Sequence, residues 1–367
     1  MRLITFFVFL FFCGISQAFA QHVFFGERNL EQDSNSIHFD FEGMCYPSIY
    51  ISDTSLSNAN GSLSLWYENH PETLKTLCSS FQIPFIRPKR ALIEELNDSI
   101  ISKRAANFNE KKNTFNAVSF FIHGFRKSFK SIEKDVSSTR EFEMLSPALN
   151  KNGMLSTFEV NVFWDGFYDC CFSSNFKKNK QLFKLFALAS ENAEKVSFSF
   201  RKLLLKIHFQ HINILGHSLG ARIGLSACLP EKSGAEKFTS TLNLCLLAPA
   251  IGSKLIEDRI KNTKLEDLEN FSKHVRLLVV FNENDFVLLK KDNKIGFFGP
   301  GAKRYADTRL GCNFKQCAEK LQQTLLKLSV PIELKLIDHS NIGKCHSLRC
   351  YFNEDDLVEI AAFFNEN

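Results

Sequence analysis

The sequence predicts an α/β fold in which helices cover both faces of a mostly parallel, doubly wound sheet. From about residue 115, apolar runs of strand length alternate with longer stretches of helical pattern, which is typical of βαβ units. The runs are rich in Val, Ile, Leu and Phe without strict alternation, as expected for strands buried on both faces. Residues 216–220 then join one such run to a helical segment through two glycines, which indicates a tight strand-to-helix turn.

The individual elements follow from the same patterns. Predicted strands cover residues 116–122, 157–163, 211–216, 242–248, 275–281 and 331–337. Predicted helices cover residues 129–149, 178–208, 218–228, 253–270, 313–329 and 354–365. Nearer the N-terminus, residues 36–41 and 61–66 alternate as strands do, and the charged stretch 89–112 begins as a helix.

The first twenty residues have the pattern of a secretory signal peptide. Arg2 supplies the positive charge, residues 3–12 form a short apolar run, and Ala18 and Ala20 form an A-x-A cleavage site. The alternative is an uncleaved anchor, but the run is too short to span a bilayer comfortably. We therefore expect an exported protein, secreted or periplasmic, without a stable membrane span.

We expect three parts: the signal peptide at 1–20, an N-terminal extension at 21–112 that packs on the main domain, and an α/β domain at 113–367. The formal net charge is +5 at pH 7, which is too mild to favour nucleic-acid binding. The 39 Phe residues predict an aromatic-rich core, with an apolar substrate pocket as the alternative interpretation. The oligomeric state is left open.

The cysteine content predicts disulfides, because ten of the eleven lie after the signal peptide of an exported chain. The expected pairs are Cys312 with Cys317, Cys345 with Cys350, and Cys45 with Cys78. We expect Cys170 and Cys171 to bond elsewhere, and Cys228 and Cys245 to be free thiols in the core. Because no CxxC…CxxC or HExxH pattern occurs, we predict no metal and no cofactor.

Residues 216–220 read Gly-His-Ser-Leu-Gly, a G-x-S-x-G sequence placed between strand and helix. In that context the sequence is a nucleophile elbow, which raises the serine above the carboxyl edge of the sheet. Ser218 is therefore the predicted nucleophile. It lies beside the positive end of the following helix.

A nucleophilic serine needs a base, and the segment after the last predicted strand offers two histidines. We favour His346, because it lies well into the loop and can reach back over the sheet edge. His339 is the alternative, but it lies at the strand end, where capping or packing is more common.

The base needs an orienting carboxylate, and Asp285 follows the strong strand at 275–281. The alternatives are Glu283, Asp307 and Asp338. Ser218, Asp285 and His346 stand in the chain order of α/β-hydrolases.

A tetrahedral intermediate needs hydrogen-bond donors as well. The early strand at 116–122 ends at His123-Gly124, and backbone N–H groups after such a pair are suited to an oxyanion hole. We predict the N–H groups of Phe125 and Leu219 as the two donors. His123 and His217 are expected to have structural roles.

Residues 115–352 resemble the bacterial α/β-hydrolases once grouped as the domain of unknown function DUF900. The segments that carry this resemblance are 121–125 with 128–129, 163–164, 214–222, 246–250, 284–285 and 346–347. The resemblance implies the same three residues, Ser218, Asp285 and His346, as a catalytic triad. The first 90 residues and the cysteines around His346 depart from the family pattern, but a Cys345–Cys350 bond would preorganise the base.

Together these features predict an exported serine hydrolase that cleaves carboxylic esters of small molecules or lipids through an acyl-enzyme. Lipase, phospholipase, thioesterase and peptidase activities stay open within this class. The aromatic loop at 165–180 either lines an acyl site or is a disulfide-tied surface loop. The competing hypothesis is a non-catalytic binding or scaffold protein on a hydrolase fold, because fold alone does not give activity.

Overall fold

Seven strands form one parallel sheet in the order β2-β4-β3-β6-β7-β8-β9. The computed structural model describes residues 21–22, 35–125, 138–166, 168–169, 175–229, 237–285, 287–288, 322–327, 330 and 332–366. The strands of the sheet are β2 (Ser36–Phe39), β3 (Ala117–Ile122), β4 (Phe158–Trp164), β6 (His211–His217), β7 (Thr241–Leu247), β8 (Val275–Phe281) and β9 (Glu333–Asp338). Two short strands, β1 (Gln21–His22) and β5 (Tyr168–Asp169), pair antiparallel apart from it.

The helices occupy most of the connections between these strands. Their bounds are α1 (Asp53–Asn58), α2 (Leu63–Asn69), α3 (Pro71–Ser80), α4 (Lys89–Asn109), α5 (Ser138–Lys151), α6 (Asn175–Leu205), α7 (Leu219–Cys228), α8 (Ser253–Asn262), α9 (Leu265–His274) and α10 (Glu354–Asn365). The predicted helix at 253–270 is two helices, α8 and α9. Of the predicted helices at 129–149 and 313–329, the first parts lie outside the described residues, and residues 322–327 are helical.

Neighbouring residues of β7 show that helices cover both faces of the sheet. Leu244 lies beside Gly224 of α7. The adjacent Asn243 accepts a hydrogen bond from Arg276, which also donates to the carbonyl of Phe363 in α10. Because successive side chains of a strand point to opposite faces, α7 and α10 lie on opposite sides. This confirms the predicted α/β-hydrolase fold with its mostly parallel, doubly wound sheet.

The six predicted strands of the main sheet are confirmed to within two residues, and the segment at 36–41 forms β2. The strand predicted at 61–66 is wrong, because this segment begins helix α2. The Ser62 side chain caps that helix by accepting from the Leu65 N–H at 3.1 Å. The buried residues Leu63, Trp66 and Tyr67 then follow helical spacing. Over so short a run, helical and strand periods are hard to separate.

The described cysteines correct one of the predicted pairs. Cys345 and Cys350 form a disulfide as predicted, and Cys228 and Cys245 are free and buried, also as predicted. The pairing of Cys45 with Cys78 is wrong, because both are free and each fills a buried position. A free cysteine behaves there as a small apolar side chain. Cys170, Cys171, Cys312 and Cys317 lie outside the described residues.

The N-terminal region shares the core of the sheet. Strand β2 pairs with β4 at one edge, and buried side chains from Ile37 to Phe364 form one continuous hydrophobic cluster. The division at residue 112 stays a prediction. Across the described ranges no helix combines the length and apolar character needed to cross a membrane, and the predicted signal peptide lies outside those ranges.

Candidate active site

Ser218 lies in a sharp turn between β6 and α7, with φ 55° and ψ −116°. A positive φ is unfavourable for a residue with a side chain, and the glycines on either side allow the turn to form. A Cβ on Gly216 would lie 2.6 Å from the Ala221 nitrogen, and one on Gly220 would lie 2.4 Å from the Ile122 oxygen. Both positions therefore exclude any side chain.

Backbone hydrogen bonds hold this turn against the next strand. The Ser218 N–H donates to the Leu247 carbonyl at 3.0 Å, and the Ser218 carbonyl accepts from the Ala250 N–H at 3.1 Å. Ser218 is 3 % exposed, so the turn is buried. The sequence Gly-His-Ser-Leu-Gly thus has the strand–turn–helix geometry expected of a nucleophile elbow.

The structure brings Ser218, His346 and Asp285 together from three separate parts of the chain. The His346 Nε2 lies 3.1 Å from the Ser218 hydroxyl, and its Nδ1 lies 2.6 Å from the Asp285 Oδ2. A carboxylate only accepts, so Nδ1 carries the proton and donates to Asp285. In the neutral ring Nε2 then carries no hydrogen and accepts from the serine hydroxyl, which is the tautomer that general-base catalysis requires.

Asp285 is oriented by its own turn. The residue is fully buried, and its Oδ1 accepts from the backbone N–H groups of Val287 at 2.9 Å and Leu288 at 3.0 Å. These two bonds fix the carboxylate and leave Oδ2 for His346. The His346 side chain is 16 % exposed, whereas the acid that it contacts is buried.

The alternative candidates lie elsewhere. His339 is buried, with its Nε2 3.1 Å from the Cys350 carbonyl oxygen and its Nδ1 against Asp356. Glu283 is exposed, and Asp338 accepts from the backbone N–H of Ser340 at 2.9 Å. None of these contacts Ser218. Asp307, the remaining alternative acid, lies outside the described residues.

His339 carries a perturbed pKa. Burial alone would lower the pKa of this imidazole, but hydrogen bonds to Asp356 and to the Cys350 carbonyl raise it above its usual value. Since Nε2 faces a carbonyl and Nδ1 faces a carboxylate, both nitrogens donate when the ring is protonated. His339 therefore joins the Cys350 carbonyl to Asp356 of α10.

The strand end at His123-Gly124 lies against Ser218, the predicted nucleophile. A Cβ on Gly124 would be 2.9 Å from the Ser218 Cβ, so this position also requires glycine. The His123 Nε2 accepts from the Trp164 N–H at 3.1 Å, and its Nδ1 therefore donates to the Gly124 carbonyl at 2.9 Å. His123 has a structural role in shaping this turn.

The two predicted oxyanion donors border the same turn. Phe125 follows Gly124 directly, and Leu219 is the first residue of α7. The first N–H groups of a helix have no acceptor within the helix, which leaves the Leu219 N–H available to an incoming oxygen. His217 also has a structural contact, because its Nε2 donates to the His346 carbonyl at 2.9 Å.

Sequence reasoning missed Asn282, which closes β8 three residues before Asp285 and contacts the segment that carries His346. The sequence signal for this residue is an asparagine directly after the strand β8, in the same turn as the predicted acid. Among the described side chains, no group of three His, Cys, Asp or Glu has a metal-binding arrangement.

The sheet and the turn at Ser218 define the α/β-hydrolase fold class. No family model matches the chain, and no curated protein matches it. The resemblance to the DUF900 hydrolases therefore stays a prediction.

Several solved structures are similar over about two thirds of the chain. Carboxyl esterase 2 from the mycorrhizal fungus Tuber melanosporum is 15% identical, with 68% of this chain and 79% of that chain covered and a TM-score of 0.31. The poly(3-hydroxybutyrate) depolymerase LpqC from Bordetella parapertussis is 11% identical, with 66% and 83% covered and a TM-score of 0.33. Esterase Est22 is 13% identical, with 68% and 72% covered and a TM-score of 0.32. At these identities and TM-scores the similarities assign neither activity nor substrate to this chain.

Proposed function

We propose that the protein is a serine hydrolase of carboxylic esters, with Ser218 as nucleophile, His346 as general base and Asp285 as the orienting acid. The observation that carries the proposal is the continuous hydrogen-bonded line from Asp285 through His346 to Ser218. Two further features support it. The serine has the strained elbow backbone of a raised nucleophile, and the acid is buried beside the base.

In the proposed acylation step, the Ser218 oxygen attacks the ester carbonyl carbon while His346 Nε2 takes the hydroxyl proton. The carbonyl π electrons move onto the oxygen, and the N–H groups of Leu219 and Phe125 stabilise that oxyanion. When the carbonyl reforms, the alcohol leaves with the proton from Nε2. Asp285 stabilises the imidazolium throughout this exchange without taking its proton.

Deacylation repeats these steps with water as the nucleophile. His346 Nε2 accepts a proton from water, and the resulting hydroxide oxygen attacks the acyl carbon. Collapse of the second tetrahedral intermediate releases the carboxylic acid and returns the proton to the Ser218 oxygen. The described side chains supply every proton acceptor that this cycle needs, so the proposed mechanism uses no metal and no cofactor.

We also propose that the protein acts after export, secreted or in a periplasm, on small-molecule or lipid esters. The Cys345–Cys350 disulfide supports the compartment, because disulfides persist in oxidising environments. A series of substrates would determine the acyl preference and would distinguish esterase, lipase, phospholipase, thioesterase and peptidase activities. Hydrolysis of p-nitrophenyl esters of increasing chain length, followed by matched thioesters and amides, would separate these classes.

The central test is labelling by a fluorophosphonate probe, which reacts with activated serines. We expect the folded wild-type protein to be labelled and Ser218→Ala to be inert. We expect Asp285→Asn to lower kcat by roughly 10⁴-fold, because an amide stabilises the wrong tautomer of the base. Labelling of Ser218→Ala at the wild-type rate would identify a different nucleophile. A folded wild-type protein that neither labels nor hydrolyses esters would instead be a binding or scaffold protein.

A further inference from the structure

The segment that carries His346 has little regular structure of its own. Two short 3-10 turns, Ser340–Ile342 and Leu348–Tyr351, flank it, and residues 343–347 belong to neither helix nor strand. The backbone carbonyls of this segment have no acceptor role in a helix or strand of its own, and donors from other parts of the chain bind three of them. The side chains that supply these donors therefore set the position of His346.

Asn282 supplies two of these hydrogen bonds. Its side-chain Nδ2 donates to the Gly343 carbonyl at 2.8 Å and to the Cys345 carbonyl at 3.0 Å. The residue is fully buried, and the segment that it binds is partly exposed. The Cys345 carbonyl belongs to the peptide bond that leads directly into His346.

The same amide also holds the turn that carries the acid. The Asn282 Oδ1 accepts from the Asn284 N–H at 2.8 Å, and the Asn282 backbone carbonyl accepts from the Asp285 N–H at 3.1 Å. An amide is suited to this position because it offers donors on one side and an acceptor on the other. The three side-chain contacts also fix which amide atom is the nitrogen, since both 343 and 345 present carbonyls that only accept.

We propose that Asn282 is a positioning residue, which sets the His346 imidazole against both Asp285 and Ser218 by bonding the acid turn and the base segment at once. The inference rests on the proposed function, because it assigns His346 the role of base. Asn282 reaches no reacting atom. Its effect on the reaction passes through the backbone of the base segment and through the turn that carries Asp285.

The sharpest variant is Asn282→Asp, which keeps the shape of the side chain and the acceptor for the Asn284 N–H but replaces the donor by an oxygen. That oxygen would face two carbonyl oxygens and repel them. Displacing a catalytic group by about 1 Å can cost about 100-fold in rate, so we expect kcat for p-nitrophenyl acetate to fall roughly 10- to 100-fold. We expect KM to change by less than about threefold, because no substrate contact is lost.

Asn284→Asp is the matched control. The Asn284 Nδ2 donates to the Ser340 carbonyl at 2.9 Å, at the start of the same segment but away from His346, and the residue is exposed. The same amide-to-acid change there should leave kcat within about threefold of wild type, because exposed hydrogen bonds contribute little. Asn282→Ala, which removes the donor without adding charge, provides a second test should Asn282→Asp not fold.

A merely structural role of Asn282 is distinguished from a positioning role by repeating the Asn282 substitution in a protein that lacks His346. In a His346→Ala background, fluorophosphonate labelling of Ser218 is slow, and we expect Asn282→Asp or Asn282→Ala to slow it no further, because residues that act through one another are not additive. Equal losses with and without His346 would overturn the inference, as would wild-type kcat in a folded Asn282 variant. The proposed function fails separately, if Ser218→Ala and His346→Ala keep wild-type activity.

Discussion

At the scale of single residues, the proposed nucleophile lies at a point of backbone strain. Ser218 has φ 55°, and Ala248 beside it, after β7, has φ 42°. Each such conformation costs of order 1–3 kcal/mol in a residue with a Cβ. The Ser218 N–H donates to the carbonyl of Leu247, the residue directly before Ala248. Both strained residues therefore border the site, where the rest of the sheet holds them in place.

This strain predicts that Ser218→Gly is more stable than Ser218→Ala, although both lack the hydroxyl. Glycine adopts positive φ without a steric penalty, which outweighs its larger entropy loss of about 0.5–1 kcal/mol. We expect a difference of about 1 kcal/mol in the free energy of unfolding, measured by urea titration of the two variants. Equal stability of the two variants would mean that the elbow relaxes when the hydroxyl is removed.

A second residue-scale prediction concerns His339 and pH. The groups that face this ring are Asp356 of α10, Asp338 at the end of β9, the Cys350 carbonyl and the Tyr351 ring. Because the folded-state pKa of His339 is raised, the protonated ring stabilises the fold. This contribution is complete below the unfolded-state pKa of about 6.5 and is lost as the pH rises through the folded-state pKa.

We therefore expect the stability difference between wild type and His339→Gln to be largest near pH 6 and to shrink towards pH 9. The measurement is urea unfolding of both proteins at several pH values. Asp356→Asn is the control, because removing the carboxylate removes the main cause of the raised pKa. A stability difference that grows with pH would contradict the direction of the shift.

At the scale of elements, the base segment between β9 and α10 is fixed by side chains instead of by regular secondary structure. Asn282, which follows β8, and His217, at the end of β6, bind carbonyls of this segment. The disulfide between Cys345 and Cys350 closes a short loop within the segment. His346 lies inside that closed loop. The geometry of the base therefore depends on a covalent bond that a reductant can open.

The double change Cys345→Ser with Cys350→Ser is expected to lower both stability and kcat. The closed loop is short, with a sequence separation of 5, so chain entropy predicts a loss of about 2 kcal/mol. Ester hydrolysis before and after treatment with a dithiol, in wild type and in the double variant, measures the effect. The wild type should lose activity on reduction and the variant should not respond. Equal sensitivity of both proteins would place the effect at another cysteine.

At the scale of the whole molecule, the N-terminal region and the sheet form one packed unit. The Asn109 side chain at the end of α4 donates to the Lys206 carbonyl and accepts from the His208 N–H. Strand β2 covers the edge of β4, and α4 buries its apolar face, including Leu96 and Phe108. The region before residue 113 thus supplies part of the sheet and part of the core.

A fragment that begins at residue 113 is therefore expected not to fold cooperatively. Its loss of β2 and α4 would expose the edge of β4 and an apolar surface that the full chain buries. Near-UV circular dichroism and thermal unfolding, compared with a chain that lacks only residues 1–20, provide the measurement. Cooperative unfolding of the 113–367 fragment would show that the N-terminal region is a separate extension.

Much of this architecture could be predicted from the sequence, for physical reasons that also explain the failures. The strands β3, β6, β7 and β8 are apolar runs because both of their faces are buried. The ends of parallel strands meet at one edge of the sheet, which brings Ser218, Asp285 and His346 together. Their catalytic roles stay predictions. The helix α2 was missed because its short apolar pattern fits both the helical and the strand period. The buried thiols of Cys45 and Cys78 were paired on composition alone, without knowledge of their surroundings.

The order of the strands along the chain determines when the site can form during folding. The proposed nucleophile and base are 128 residues apart in the chain, and the acid and base are 61 apart. A growing chain makes β6 and its serine long before β9, and pairings between distant segments are slow to form. We therefore expect a nascent or refolding molecule to stay chemically silent until β9 has joined β8. Probe labelling during refolding would then appear only after β9 has paired with β8. Incompletely synthesised chains would not hydrolyse esters.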